Sequence, residues 1–211
     1  MILRRCLFLP CILVFTTVFA QQPDSKSLQA TAKTYTRQGD YTNAIMVLTG
    51  AVQKDPQNLE LLKDLAFNYY LQKDYAKGLT VARPLLERSD ADVQSYQIAG
   101  MLLKGVDDVK ECEKMYKTGI KKFPHSGVLY NEYGEMLWAR QDVAAIRQWE
   151  KGIQVDPAYS SNYYNACRYY FFTYDKLWSI IYGEIFVNLE SYSRRTAEIK
   201  DVLLESYKKL Y

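Results

Sequence analysis

The sequence is short of the residues that usually carry catalysis. Its 211 positions hold one histidine, His125, and four cysteines, two of which (Cys6 and Cys11) lie in a leading apolar segment. A single histidine after Pro124, with no Cys or His beside it, is a poor metal ligand and a poor general base. A glycine-rich phosphate loop, HExxH, GxSxG and closely spaced Cys pairs are all missing, so nucleotide, zinc-hydrolase and serine-hydrolase chemistry have no foothold. No long block of one charge occurs either. The formal charge is +3, and setting aside Arg4 and Arg5 in the leading segment brings it to about +1. A nucleic-acid binder would show a basic stripe, so no nucleic-acid partner is expected. What the chain has instead is a hydrophobic share of 48% and 19 tyrosines, enough for a substantial core and unlike a disordered chain.

Residues 1–20 read as a secretory signal: Arg4 and Arg5, then an almost wholly apolar run from Cys6 to Phe19, then Val18-Phe19-Ala20 before an expected cut at Gln21. An uncleaved anchor is the rival reading. The run to Ala20 would span roughly 22 Å as a helix, against a hydrocarbon core of about 30 Å. Phe8-Leu9-Pro10 before Cys11 lacks the small residues of a lipoprotein signal. No later stretch is long and apolar enough to cross a membrane, so an exported protein, periplasmic or secreted, is expected after a short linker at 21–24.

The rest of the chain keeps a beat of 34 residues. Gly39-Asp40-Tyr41, Lys73-Asp74-Tyr75, Asp107-Asp108-Val109 and Gln141-Asp142-Val143 follow one another at that interval, and Pro56 and Pro124 lie twice that apart, with Pro157 following at 33. In phase with the turns come small residues, Ala32, Ala66, Gly100, Gly134 and Cys167 in one helix of each unit and Ala44, Gly78, Cys112 and Ala145 in the other. A glycine inside a helix costs about 0.5–1 kcal/mol relative to Ala, which makes sense where two helices cross closely. Leucines and tyrosines one turn away fill the wider gaps.

This arrangement resembles the tetratricopeptide repeat, a helix-turn-helix of 34 residues. Units are read at about 25–58, 59–92, 93–126, 127–159 (one residue short) and a looser one at 160–192, with residues 193–211, opening on Ser193, as a capping helix. The fold expected is all-α, a right-handed solenoid of about five repeats. The segment 168–186 is also loosely similar to one in uncharacterised exported repeat proteins of Bacteroidetes-type bacteria. It is the most aromatic part of the chain, and two readings stay open: a helix that docks the cap, or an adhesive patch for a partner.

The resemblance implies that the first helix of each unit lines a concave groove holding a protein or extended peptide, with no catalysis, cofactor or metal. By phase, the groove-facing residues are Lys33 and Arg37; Lys63, Phe67 and Tyr70; Gln97, Met101 and Lys104; Asn131, Glu135 and Trp138; and Tyr164, Arg168 and Phe171. Tyr70, Trp138, Tyr164 and Phe171 are expected as rings not needed by the core, with Asn131 and Arg168 as hydrogen-bonding partners beside them. Carboxylates such as Glu111, Glu113, Glu132 and Glu135 are expected in solvent, and Cys112 and Cys167 as buried small hydrophobes too far apart to bridge. Some members of the family clamp a peptide carboxylate with Lys, Asn and Arg. Here Gln29 and Asp64 replace the Lys and an Asn, so that activity is not carried over. Carbohydrate binding on exposed rings, or service as the front of a larger assembly factor or enzyme, are the alternatives.

Overall fold

A computed structural model of the chain describes residues 24–173 and 175–210; the expected signal and cut site lie outside them. Among the described residues there are eleven helices and no strand. Five antiparallel pairs run as α1 (Ser25–Arg37) with α2 (Tyr41–Lys54), α3 (Leu59–Leu71) with α4 (Tyr75–Leu86), α5 (Val93–Gly105) with α6 (Val109–Lys122), α7 (Gly127–Ala139) with α8 (Ala145–Val155) and α9 (Ser160–Phe172) with α10 (Lys176–Leu189), followed by α11 (Arg194–Lys208).

The sharp turn inside each of the first four pairs has one physical device. Gly39, Lys73, Asp107 and Gln141 adopt φ of 77, 65, 57 and 60°, the left-handed conformation that ends a helix. The Asp that follows then caps the next helix: Asp40, Asp74 and Asp108 accept from the backbone N–H of Asn43, Lys77 and Glu111. Only the first turn uses glycine, so the other three carry a modest strain that the cap and the packing offset. In the fourth unit Asp142 reaches only the Ala144 N–H, at 2.8 Å, and α8 starts late at Ala145. That is where the unit is one residue short.

Close crossings need the small residues. A Cβ on Gly134 would sit 2.4 Å from Nε1 of Trp149, and one on Gly100 would sit 2.2 Å from the Tyr116 hydroxyl. The aromatic of one helix lies directly on the bare backbone of its partner. Ala32, Ala44, Ala66, Ala145, Ala166 and Cys167 are wholly buried at equivalent crossings. From α3 onward the first helices pack against their successors (α3 on α5, α5 on α7, α7 on α9, α9 on α11), whereas no two second helices pack to a comparable extent. The array therefore curves, with first helices crowded on the inner wall and second helices splayed on the outer one.

The last helix is tied down by ionic and hydroxyl contacts. Ser193 caps α11 in a reciprocal box with Thr196. The Glu190 carboxylate accepts from Arg195 Nε at 3.1 Å and from Arg195 Nη2, and also from the hydroxyls of Ser193 and, at 3.0 Å, Ser160. Arg195 foremost, then the two serines, hold this carboxyl at about 2, below its ordinary value of 4.5. A depressed folded-state pKa stabilises the fold above the unfolded value and stops doing so as pH falls from there through about 2. The shift corresponds to about 3 kcal/mol at most. We expect E190Q to be less stable than wild type at pH 7 and equal to it near pH 2, read from paired thermal melts. A constant difference across that range would show the carboxylate is not the tie.

Candidate functional site: the inner wall

A ladder of polar contacts joins successive first helices on the inner wall. Gln29 Nε2 donates to Asp64 at 2.7 Å, and Lys33 lies 3.6 Å from the same carboxylate. Thr36 donates to the Asn68 side chain at 2.7 Å. Two units on, Gln97 donates to Glu132 at 2.8 Å, and Asn165 donates to the Asn131 side chain at 2.8 Å. At the far end the Tyr164 hydroxyl donates to Glu198 at 2.7 Å, and Arg168 pairs with the same carboxylate at 3.1 Å. Most of these partners stand 34 or 35 residues apart, the repeat period plus the offset between adjacent helices. Asp64, which replaces an Asn of the carboxylate clamp, is thus a rung of the ladder.

Two hollows open between the rungs. One, of about 250 Å³, lies between α1 and α3 and is rimmed by Lys33, Arg37 and Asp64 over Phe67. The other, of about 330 Å³, lies between α5 and α7. Its rim carries Lys104, Arg140, Asp107 and Glu135, and its floor Leu103, Cys112 and Met136. Burial pushes the Cys112 thiol up to about 11, so it contributes a small apolar surface rather than a nucleophile. Cys167 behaves the same way, and both cysteines are free and buried. Among the described residues no group of three or more His, Cys, Asp or Glu side chains could hold a metal ion, and no helix is long and apolar enough to cross a membrane.

The residues expected at the groove divide three ways. Lys33, Arg37, Phe67, Lys104 and Glu135 border the hollows, and Met101 is half-buried on α5 between them. Lys63 has to be corrected: it is 3% exposed, and its ammonium lies 2.6 Å from both Asp92 and Glu60. Burial would lower its pKa, but the two carboxylates more than offset that and raise it, so this lysine ties α3 to the start of α5. Asn131 is buried as well, donating to Glu135 at 3.0 Å while it receives Asn165.

The aromatic residues are corrected too. Tyr70 stacks on Phe67 and leans on Tyr75, with centroids at 6.2 and 5.9 Å, and Trp138 meets Trp149 and Tyr169 edge-on at 6.3 and 5.3 Å. Both rings are half-buried against the main core. Tyr164 lies under the guanidinium groups of Arg168 and Arg195 and beside Phe186. The Phe171 ring sits beneath Lys176 and Lys209. Trp138 thus joins its repeat to the next through Tyr169, Tyr164 and Phe171 join the fifth unit to α11, and Tyr70 packs within its own unit.

Glu132 is the residue that sequence reasoning misjudged most. It is 7% exposed, not solvated, and receives the Tyr116 hydroxyl at 2.9 Å as well as Gln97, with Lys104 at 3.8 Å. Burial, then the nearby Glu132 charge, pushes the Tyr116 phenol far above its ordinary value. The buried carboxylate fastens α5, α6 and α7 together directly behind the larger hollow.

Comparison with known proteins agrees with this architecture. The tetratricopeptide repeat family model matches residues 35–100. The fold is similar to that of TTC0263, a thermophilic TPR protein of Thermus thermophilus, with a TM-score of 0.67 at 12% identity over 85% of this chain and 99% of that one. A tetratricopeptide repeat protein of Parabacteroides merdae gives 0.65 at 17% identity over 89% and 72% of the two chains. The C-terminal part of a TPR repeat-containing protein of Cytophaga hutchinsonii gives 0.65 at 16% over 90% and 77%. At such identities the likeness is one of fold. No curated protein matches the sequence.

Proposed function

We propose that this solenoid of tetratricopeptide-type repeats is an exported, non-catalytic scaffold that holds an extended, acidic peptide segment of another protein along its inner wall. The observation that carries the reading is the pair of hollows, each with two cationic side chains on its rim, Lys33 and Arg37 beside Asp64 at one, Lys104 and Arg140 beside Asp107 and Glu135 at the other, so that an acidic side chain entering either would pair with the cations. The hollows lie two first helices apart. At about 10 Å per packed helix that is about 20 Å, a distance an extended chain covers in about six residues. A peptide with acidic side chains at that spacing would set one in each hollow, its backbone crossing the junction of α3 and α5.

Fluorescence anisotropy on a panel of labelled peptides, with paired acidic residues at varied spacing, tests this. Affinity is expected to peak near a six-residue spacing. The K104E/R140E variant should weaken the best binder by about tenfold or more, the effect of reversing charges at a contact. The variant K110E/K114E, on the outer face of α6, should change it little once salt is high enough to screen long-range attraction. Equal losses in both variants would mean that only net charge is being read.

The leading segment supports a location outside the cytoplasm. Terminal sequencing of the protein recovered from the native cell envelope is expected to begin at Gln21; recovery of the whole chain from the cytosol would refute export.

A further inference from the structure

Helix α10 differs from the other second helices on its outer face. Each second helix has a small buried residue where it crosses its partner: Cys112 in α6, Ala145 in α8 and Ser179 in α10. Two positions further on stand Lys114, Arg147 and Ile181, and six positions further on Thr118, Lys151 and Ile185, all of them exposed. Where α6 and α8 meet water with charge or hydroxyl at these positions, and α2 shows the single large apolar side chain Met46, α10 presents five, Leu177, Trp178, Ile181, Ile185 and Leu189, between 36 and 56% exposed. These side chains leave on the order of 400 Å² of contiguous apolar surface, the size at which a patch marks an interaction site.

We infer that this face is a two-fold interface with a second copy of the chain, α10 packing against α10. Leu177, Ile181, Ile185 and Leu189 recur every fourth residue and form one ridge of the kind that packs into the groove between like ridges of another helix, at about −50°. Read from either end the ridge is the same, Leu-Ile-Ile-Leu, with its midpoint at position 183. In an isologous contact residue i meets residue j while j meets i, so this ridge sets isoleucine on isoleucine and leucine on leucine. A two-fold axis through the midpoint sets Ile181 against the partner's Ile185 and Leu177 against the partner's Leu189. It also brings Asp175, at the start of α10, toward the end of the other α10, where the partner's Arg194 begins the last helix. Two such faces, Trp178 included, amount to about 800 Å², the low end of the range for protein interfaces, so the dimer expected is a weak one. The rim opposes a bilayer as the occupant: Asp175 and Glu184 border the ridge, and the one lysine of α10, Lys176, is buried, whereas helices that lie on anionic membranes are flanked by exposed cations.

Analytical ultracentrifugation of the chain from Gln21 onward, which carries every described helix, tests this without reference to the groove. A dimer is expected at micromolar concentration. I181K and I185E, each with its circular dichroism unchanged, should each raise the dimer dissociation constant about a hundredfold or more by burying an unpaired charge. Mixing the two variants in equal amounts should restore a dimer, because the axis sets the new ammonium of one chain against the new carboxylate of the other. R147E, at the equivalent position of α8, should leave the dimer intact. A monomer at every concentration, a dimer indifferent to both substitutions, or a monomer that floats with anionic vesicles would each overturn the assignment, the last in favour of a membrane surface.

Discussion

W149A is expected to cost about 3–5 kcal/mol, the range for removing a large aromatic from a packed core. For a domain of this size that is a fall in melting temperature of roughly 10 °C or more. Trp149 is 1% exposed, and its ring lies on the bare backbone of Gly134, with Trp138 and Tyr169 meeting it edge-on. Its indole N–H donates to the Asn131 carbonyl at 3.2 Å. Truncation would leave a void bordered by rings that cannot collapse, because each is fixed by its own helix. W149F should lose less, keeping most of the packing and forfeiting the hydrogen bond. In a linear array each repeat is stabilised by its neighbours alone, so amide exchange should accelerate in α7–α10 and change least in α1 and α2. A uniform acceleration along the chain would instead show that the array opens as one cooperative block.

The fold was legible because its turns and crossings use residues chosen for backbone reasons. A left-handed residue followed by a capping Asp, and a side chain small enough for two helices to touch, can each be recognised from one position, and here they recur with the period. The inner wall was harder to read. Phase tells which way a side chain leaves its helix, and it put Lys33, Arg37, Lys104 and Glu135 on the groove side, where the structure has them bordering the hollows. Phase does not tell how closely the next helix approaches. That distance decides that Lys63 is sealed by Asp92, that Tyr70 and Trp138 are spent on packing, and that Trp149 fills the gap over Gly134. The aromatic segment beyond Arg168 serves the cap through Phe186, which is wholly buried, while the outer ridge of α10 has leucines and isoleucines pointing away from any core. A sequence pattern cannot separate those two faces, since both are apolar at helical spacing.

Glu132 supplies the second large effect, and its variants should rank by hydrogen bonding rather than by charge. E132A is expected to cost about 3 kcal/mol, since it strands the buried Tyr116 hydroxyl and the half-buried Gln97 amide. The Tyr116 hydroxyl, on a side chain that is wholly buried, would lose its acceptor, and Gln97 would lose the oxygen it donates to. E132Q keeps an oxygen for Gln97 and offers an amide N–H that the phenol oxygen can accept, so its cost should be nearer ~1 kcal/mol. E132L has the right bulk but no acceptor and should be almost as damaging as E132A. The test that separates polar satisfaction from packing is the pair Y116F/E132L. Removing the hydroxyl along with the carboxylate should recover about 1–2 kcal/mol relative to the sum of the single changes. Because Glu132 stands behind the hollow that carries Lys104 and Arg140, E132A should also loosen peptide binding, whereas E132Q, which preserves the helix spacing, should bind almost as wild type does. Strict additivity in the cycle would mean that Tyr116 and Glu132 are adjacent but uncoupled, and the larger hollow would then owe its shape to apolar packing alone.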